Sequence, residues 1–131
     1  MRDRHIFALA GLFALTAVML GAFATHGLKP QLSPSQITTF ETGVRFQFMH
    51  AMGLFIIGLL MQHNHSRLLG RAALAICIGI VLFCGSLYLL SCREILGIGH
   101  WTWLGPITPL GGISFMIGWV FVILAVWRPK A

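Results

Sequence analysis

One segment determines how this chain is read: Thr42-Gly43-Val44-Arg45-Phe46-Gln47-Phe48-Met49-His50. It opens an apolar run that continues to about Met61, so Arg45, Gln47 and His50 are carried into a hydrophobic helix. Ionisable side chains are costly inside a membrane and usually face protein rather than lipid. The segment therefore predicts a membrane span that presents polar groups to neighbouring helices.

The composition predicts an integral membrane protein with a single domain, residues 1–131. Hydrophobic residues make up 57 % of the chain and charged residues only 9 %, whereas soluble proteins average about a quarter charged. The net charge of +6 does not indicate nucleic-acid binding, because the nine Lys and Arg residues are scattered at the ends of apolar runs. We therefore expect the chain to lie in the lipid bilayer and to bind no nucleic acid.

Four apolar runs are long enough to cross a bilayer as helices, which takes about 20 residues each. The predicted spans are 6–25, 43–61, 72–92 and 104–127. A cleaved signal peptide is the competing interpretation of the first run, since Ala22-Phe23-Ala24 resembles a cleavage site, but the run is longer than a usual signal-peptide core. The prediction is an all-α transmembrane four-helix bundle with its first span retained.

The polar connection before the second span contains a helix start. Ser33-Pro34 joins a residue favoured at the N-cap to one favoured at the first helical position. Ile37 and Phe40 are three residues apart, so we expect a short interfacial helix that leads into the second span.

The basic residues indicate the orientation of the bundle. Four spans place both termini and the link between the second and third spans on one side, with six of the cations: Arg2, Arg4, Arg67, Arg71, Arg128 and Lys130. The other side holds Lys29 and Arg93, with Arg45 at its edge. Cytoplasmic segments carry an excess of Lys and Arg, so the N-terminus and the C-terminus are both predicted to be cytoplasmic.

Helical periodicity divides the second span into two polar directions. A step of about 100° per residue puts one set on a common face: Gly43, Gln47, His50, Leu54 and Gly58. Arg45, Met49 and Met52 fall on the other side. Polar atoms beside glycines are typical of a helix–helix interface, so we expect a central helix with neighbours on both sides.

The candidate polar cluster, functional or structural, consists of His26, Glu41, Arg45, Gln47 and His50. Glu41 and Arg45 are four residues apart in the order that favours a helical ion pair. That pair either fixes the helix at the outer interface, or gates a pathway or binds an anionic headgroup. His50 either hydrogen-bonds across helices, or relays protons or holds a metal.

A second set of residues is predicted to let helices pack closely: Gly43, Gly85, Ser86, Pro109, Gly111, Gly112 and Gly118. Glycine and serine allow close backbone approach in membranes, and Pro106 and Pro109 are expected to bend or loosen the first turns of the last span. Tyr88, near the end of the third span, is interpreted as a ring at the membrane interface.

No cofactor and no metal are predicted. His26 ends the first span, whereas His50 lies about 10 Å of helical rise inside the second, so their depths do not suit a shared haem. The free cysteines Cys77, Cys84 and Cys92 form no CxxC pair and are interpreted as small hydrophobic residues. The sequence also lacks the glycine motifs that bind phosphates or dinucleotides. We therefore expect that the protein is not an enzyme.

The chain resembles the YgdD-like family of small bacterial inner-membrane proteins, a family of unknown function with a eukaryotic four-span relative. The matching segments cover all four spans in order: Gly21-Ala22-Phe23 with His26-Gly27-Leu28, Thr42 to His50, Gly85-Ser86-Leu87-Tyr88, Ile107-Thr108-Pro109-Leu110-Gly111-Gly112, and Gly118-Trp119. Ala24-Thr25 replaces the family's usual Gly-Ala before the histidine. The resemblance implies a multi-pass protein of the bacterial inner membrane and transfers no catalytic residue.

Two classes of function remain open. The first is a non-enzymatic accessory protein that packs onto other membrane proteins in a larger complex. The second is a small conduit or transporter for an ion or solute, built as a homo-oligomer. Small size and close-packing faces favour the first, and a polar lining continuous across the bilayer would favour the second.

Overall fold

The structure, a computed structural model, describes residues 3–128. These residues form five α-helices: α1 (Asp3–Phe23), α2 (Pro34–His63), α3 (Arg67–Gly79), α4 (Gly85–Ser91) and α5 (Leu104–Trp127). A π-helical segment, Ala24–Leu28, extends α1, and a second one, Ile80–Cys84, joins α3 to α4.

The chain therefore builds four continuous helical spans: Asp3–Leu28, Pro34–His63, Arg67–Ser91 and Leu104–Trp127. They are 26, 30, 25 and 24 residues long, and each is apolar enough and longer than the roughly 20 residues that cross a bilayer. The predicted all-α membrane-spanning bundle is confirmed. The first three spans begin before the ranges expected from hydropathy, and the first two also end after them, because polar turns at their ends continue the helix.

The start of α2 is stabilised by a capping box. The Gln36 backbone N–H donates to the Ser33 hydroxyl at 3.3 Å, and the Ser33 backbone N–H donates to the Gln36 side-chain oxygen at 2.8 Å. Pro34 occupies the first turn, where its missing N–H costs nothing. The predicted helix start is confirmed, and the expected interfacial helix is the first part of α2 itself.

The first two spans pack against each other in antiparallel fashion. Gly58, near the end of α2, lies against the ring of Phe7 near the start of α1, and Gly21, near the end of α1, faces Val44 of α2. The third span and α5 pair in the same way, since Gly118 faces Ile76 and Gly111 faces the backbone of Phe83. Short connections between neighbouring helices produce this up-and-down arrangement.

Two apolar clusters hold the bundle together. The main cluster includes residues from every span, with Ile6, Leu54, Ile76 and Phe115 all at most 4 % exposed. A second cluster joins the first π-helical segment to the start of α2: Ala24, Leu28, Leu32 and Phe40. Ala24 is buried there.

The start of α1, the α2–α3 link and the end of α5 lie at the same end of the bundle. The Asn64 side-chain amide, in the link, donates to the Ala125 carbonyl at 3.2 Å. Within residues 3–128 this end carries Arg4, Arg67, Arg71 and Arg128, all exposed. Arg2 and Lys130, which also entered the topology prediction, lie outside the described residues. The cytoplasmic placement of this end stays a prediction.

Candidate functional site

The predicted polar face of α2 is buried in the centre of the bundle. Gly43, Gln47, His50, Leu54 and Gly58 are all buried, as helical periodicity predicts. Gln47 is 5 % exposed and His50 6 % exposed. The two side chains lie one turn apart on α2 and contact different neighbours.

Gln47 connects three helices through its side-chain amide. Its nitrogen donates to the Thr16 hydroxyl at 2.7 Å and to the Phe13 carbonyl at 2.9 Å, both on α1. Its oxygen accepts the Tyr88 hydroxyl of α4 at 2.8 Å. The Thr16–Gln47–Tyr88 network therefore uses both donors and the acceptor of the amide to hold α1, α2 and α4 together.

Gly43 makes room for the ring of Tyr88. A Cβ atom at Gly43 would lie 2.7 Å from a ring carbon of Tyr88, closer than real side chains allow. Phe40, one turn earlier, contacts the other part of the ring, with centroids 4.8 Å apart. Tyr88 is thus a partly buried cross-helix partner of Gln47 rather than a ring that only anchors the span at the membrane interface.

His50 is held by α5 and by its own helix. Its Nδ1 lies 2.8 Å from the Phe46 carbonyl, and its Nε2 lies 3.2 Å from the indole Nε1 of Trp119. Indole N–H can only donate, so Nε2 accepts and Nδ1 carries the hydrogen that Phe46 receives. The geometry therefore selects the neutral Nδ1–H tautomer.

Aromatic rings enclose the imidazole. Phe115 of α5 stacks on His50 with centroids 3.7 Å apart and an interplanar angle of 15°. Phe46 lies 4.7 Å from Phe83 and 5.9 Å from His50, centroid to centroid. Parallel and tilted rings at these separations stabilise each other beyond the area that they bury, so the His50 site is an aromatic box between α2, α5 and the second π-helical segment.

The other predicted members of the polar cluster lie elsewhere. His26, Glu41 and Arg45 are exposed, the first of them in the π-helical segment after α1. One guanidinium nitrogen of Arg45 donates to the Thr42 hydroxyl at 3.4 Å. The five residues therefore do not form one cluster, and only Gln47 and His50 belong to the core.

The second polar direction of α2 is a surface rather than an interface. Met49, Ile56 and Leu59 are between 52 % and 55 % exposed and continue the Arg45 side toward the far end of the helix. Helices do pack on two sides of α2, since Gln47 contacts both α1 and α4, but neither covers the Arg45 side. The part of the expectation that assigned a neighbour to that side is wrong, because a long arginine stem can hold its charge at the edge of the apolar region without a protein partner.

Three further hydrogen bonds tie α5 to the bundle. Ser86 and Thr108 share a bond of 2.6 Å between their hydroxyls. The Ser114 hydroxyl donates to the Ala75 carbonyl at 2.7 Å, in addition to the Asn64 contact with Ala125. Within residues 3–128 every buried side-chain nitrogen and oxygen has a hydrogen-bond partner.

The predicted packing residues divide into two groups. Gly111 and Gly118 lie so close to the third span that a Cβ would be 2.7 Å from the Phe83 Cα and from an Ile76 side-chain carbon, respectively. Gly112 makes only ordinary contact, and Gly85 has nothing within 4 Å of a Cβ position. Pro109 lies exposed inside α5. Gly85 is therefore not a packing residue, because it faces away from the neighbouring helices.

The cysteines follow the apolar pattern. Cys84 is fully buried in the main cluster, and Cys77 and Cys92 are partly buried and free. Among the described residues, no three His, Cys, Asp or Glu side chains come together in a way that could hold a metal ion. The absence of a cofactor stays a prediction.

Sequence reasoning missed Thr16, Thr108 and Trp119 as partners of the polar residues. Their signal is weak, because a threonine or a tryptophan in an apolar span reads as ordinary helix surface. Thr16 also donates to the carbonyl of Leu12 on its own helix, a bond that needs no partner helix at all. Only the packing of the spans reveals these contacts.

Comparisons with known proteins place the chain in a family. The family described as "Protein of unknown function (DUF423)" matches residues 20–112. The UPF0382 membrane protein YwdK of Bacillus subtilis is 39 % identical over 120 residues, which cover 89 % of this chain and 91 % of that protein. A UPF0382 membrane protein of Staphylococcus epidermidis is 38 % identical over 120 residues, covering 92 % and 93 %.

A more distant relative extends over almost the whole chain. The UPF0382 inner membrane protein YgdD of Escherichia coli is 28 % identical over 130 residues, which cover 99 % of this chain and 95 % of that protein. No solved structure matches the chain. These matches confirm the resemblance drawn from the sequence motifs. With its four apolar spans, the chain belongs to the DUF423 family and is a multi-pass protein of the bacterial inner membrane.

Proposed function

We propose that this protein is a non-enzymatic accessory protein that packs against another protein of an inner-membrane complex. The observation that carries the proposal is the contrast between a polar core that is bonded within the chain and a first span that is largely uncovered. The core would keep the shape of the bundle, and the uncovered span would bind the partner.

The polar core is suited to a structural role. Both ring nitrogens of His50 and the whole amide of Gln47 are engaged by protein groups. Taking up a proton at Nε2 of His50 would set it against the N–H of Trp119, donor against donor. These contacts support a fixed scaffold more than a proton relay or a nucleophile.

The first span is the least covered of the four. In its most apolar window 17 % of the residues are buried, against 39 %, 39 % and 28 % for the following spans. Leu12, Leu15 and Met19 are more than half exposed. Beside them, Gly11 has open space at its Cβ position. A small residue on an exposed face lets another membrane helix approach closely, which supports α1 as the docking side.

Site-specific photocrosslinking in native membranes tests this role. A photoreactive residue at Leu15 should capture a defined membrane protein, and Gly11→Leu should abolish that capture by filling the approach. Gly85→Leu is the matched control, because Gly85 also has open space at its Cβ position but lies on the third span. If Leu15 captures nothing, or only lipid, the accessory role fails.

One feature supports the alternative function, an oligomeric conduit for an ion or solute. Glu41 and Arg45 are exposed on α2 and would face a second copy in an oligomer. The polar surface stops there, because Met49, Ile56 and Leu59 follow on the exposed side. Ion flux through liposomes that contain the purified protein tests this alternative. Flux that is lost in Arg45→Ala would favour the conduit over the accessory role.

A further inference from the structure

An open cavity lies at the arginine-rich end of the bundle, away from the polar core. It has a volume of about 610 Å³ and opens at the α2–α3 link. Its lining combines polar groups of the link, two arginines at the start of α3, and apolar side chains: Asn64, His65, Ser66, Arg67, Arg71, Met61 and Leu74. Gly70 completes the wall, with open space at its Cβ position.

The two arginines lie near the start of an exposed face of α3. Arg67, Gly70, Arg71 and Leu74 are spaced three and four residues apart, so they share one face of α3. The same face continues downward through Ile78 and Val81, which are 44 % and 62 % exposed. On one side of the third span, Arg67 and Arg71 are therefore followed directly by a strip of exposed apolar side chains.

A second, smaller groove lies on that apolar strip. It has a volume of about 250 Å³ and is lined by Cys77, Ile78, Val81 and Leu82. Arg71 and Ile78 are seven residues apart, which is about 10 Å along a helix. When the phosphate of a phospholipid lies beside the arginines, its acyl chains start at about the depth where this groove begins.

The length of the third span places the arginines at the level of the lipid headgroups. Its 25 residues extend about 37 Å, whereas the hydrocarbon core of a bilayer is about 30 Å thick. When the span is centred, the Cα of Arg67 lies outside that core and the Cα of Arg71 about 2 Å inside its edge, from where a long arginine side chain reaches the headgroups. Among the described residues, this end of the bundle carries four arginines and only one carboxylate, Asp3, so its field favours an anion.

We propose that the cavity at the α2–α3 link binds the phosphate headgroup of an anionic phospholipid, with one acyl chain in the groove along Ile78 and Val81. The guanidinium groups of Arg67 and Arg71 donate charge-assisted hydrogen bonds to the phosphodiester oxygens. Gly70 leaves the space between the two arginines open for the headgroup. Met61 and Leu74 cover the glycerol region.

Lipid binding to the purified protein tests the proposal. Native mass spectrometry of the detergent-solubilised protein should show one retained phosphatidylglycerol, and thermal unfolding should shift upward with phosphatidylglycerol but not with phosphatidylcholine. The double variant Arg67→Gln with Arg71→Gln should bind phosphatidylglycerol at least about tenfold more weakly. The matched control, Lys29→Gln with Arg93→Gln, removes the same charge from the opposite end and should bind as the wild type does.

A variant that keeps every charge separates a site from a general attraction. Gly70→Leu should reduce phosphatidylglycerol binding by filling the cavity, and because its Cβ meets open space the fold should persist. Equal binding by the double variant and the wild type would overturn the proposal. So would equal retention of phosphatidylcholine, or a shift by inorganic phosphate as large as that by the lipid, because the cavity would then be a site for the free anion.

Discussion

The indole Nε1 of Trp119 lies 3.2 Å from Nε2 of His50, and this part-buried bond joins α5 to α2. The same indole ring lies over Gly53, one turn further along α2, at 3.1 Å from the position of a Cβ. The indole of Trp119 therefore orients His50 and also fills the space that a side chain at residue 53 would need. A substitution at Trp119 tests the bond to His50.

Trp119→Phe should destabilise the protein by about 0.6–1.7 kcal/mol, the range found for hydrogen bonds between membrane helices, with a further loss from the smaller ring. The expected result is a lower melting temperature in detergent. Trp127→Phe is the control, because Trp127 is 83 % exposed. Equal melting temperatures for the two variants would contradict the bond to His50.

Gln47→Leu should destabilise the protein by about 1–3 kcal/mol, because it leaves the partly buried Tyr88 hydroxyl without its acceptor. Tyr88→Phe in the Gln47→Leu background should recover part of that loss, since both polar partners are then absent. A double-mutant cycle from thermal or denaturant unfolding measures the coupling. Additive effects of the two substitutions would argue against the bond.

Arg45→Ala should change stability by less than about 1 kcal/mol, the range for exposed charged pairs and contacts. The side chain is exposed and donates only to Thr42 among the contacts of its guanidinium. The sequence led to the opposite expectation, with Arg45 as an ion-pair partner of Glu41. Measured in the same unfolding assay as Gln47→Leu, a loss as large as that variant's would restore the ion pair.

Gly111→Ala and Gly112→Ala should have different effects although the residues are neighbours. At Gly111 a methyl group would collide with the backbone of Phe83, which cannot move aside, so we expect a loss of about 1–3 kcal/mol. At Gly112 the nearest atom is 3.9 Å away, so alanine should be neutral or should stabilise by up to about 1 kcal/mol. Thermal unfolding of the two variants in the same detergent checks the pair.

Reporter fusions test the orientation. A cytoplasmic reporter fused after residue 131 should be active, and a periplasmic reporter inserted within residues 31–35 should be active as well. The reason is the excess of Lys and Arg at the end that holds the α2–α3 link. A periplasmic signal from the fusion after residue 131 would reverse the topology and would place the lipid cavity in the other leaflet.

Much of this fold follows from local rules. The apolar runs predict the four spans, and the step of about 100° per residue predicts the buried face of α2, from Gly43 to Gly58. Ser33 and Pro34 mark the start of that helix because capping chemistry acts over only a few residues. Each of these features depends on neighbours in the sequence.

The partners of the polar residues could not be predicted in the same way. Tyr88 is 41 residues from Gln47 and Trp119 is 69 residues from His50, so the register of whole helices decides the contacts. Gly111 and Gly112 look alike in sequence, and only the docking of α5 determines which one faces Phe83. Spacing predicts an ion pair between Glu41 and Arg45, because it shows which side chains come near each other, but not that a long side chain turns to a neighbouring hydroxyl.

The π-helical segment Ile80–Cys84 sets the rotational phase of everything that follows it in the third span. A π turn accommodates one residue more than an α turn, and one residue corresponds to about 100° of rotation. Ser86 and Tyr88, which face α5 and α2 respectively, therefore depend on a turn that absorbs the extra residue before them. A regular α-helix through the same residues would turn both hydroxyls away from Thr108 and Gln47, whereas deleting one residue from 80–84 together with the π turn would leave them in place. In this span the form of one turn, and not only the identity of the residues, determines the interface.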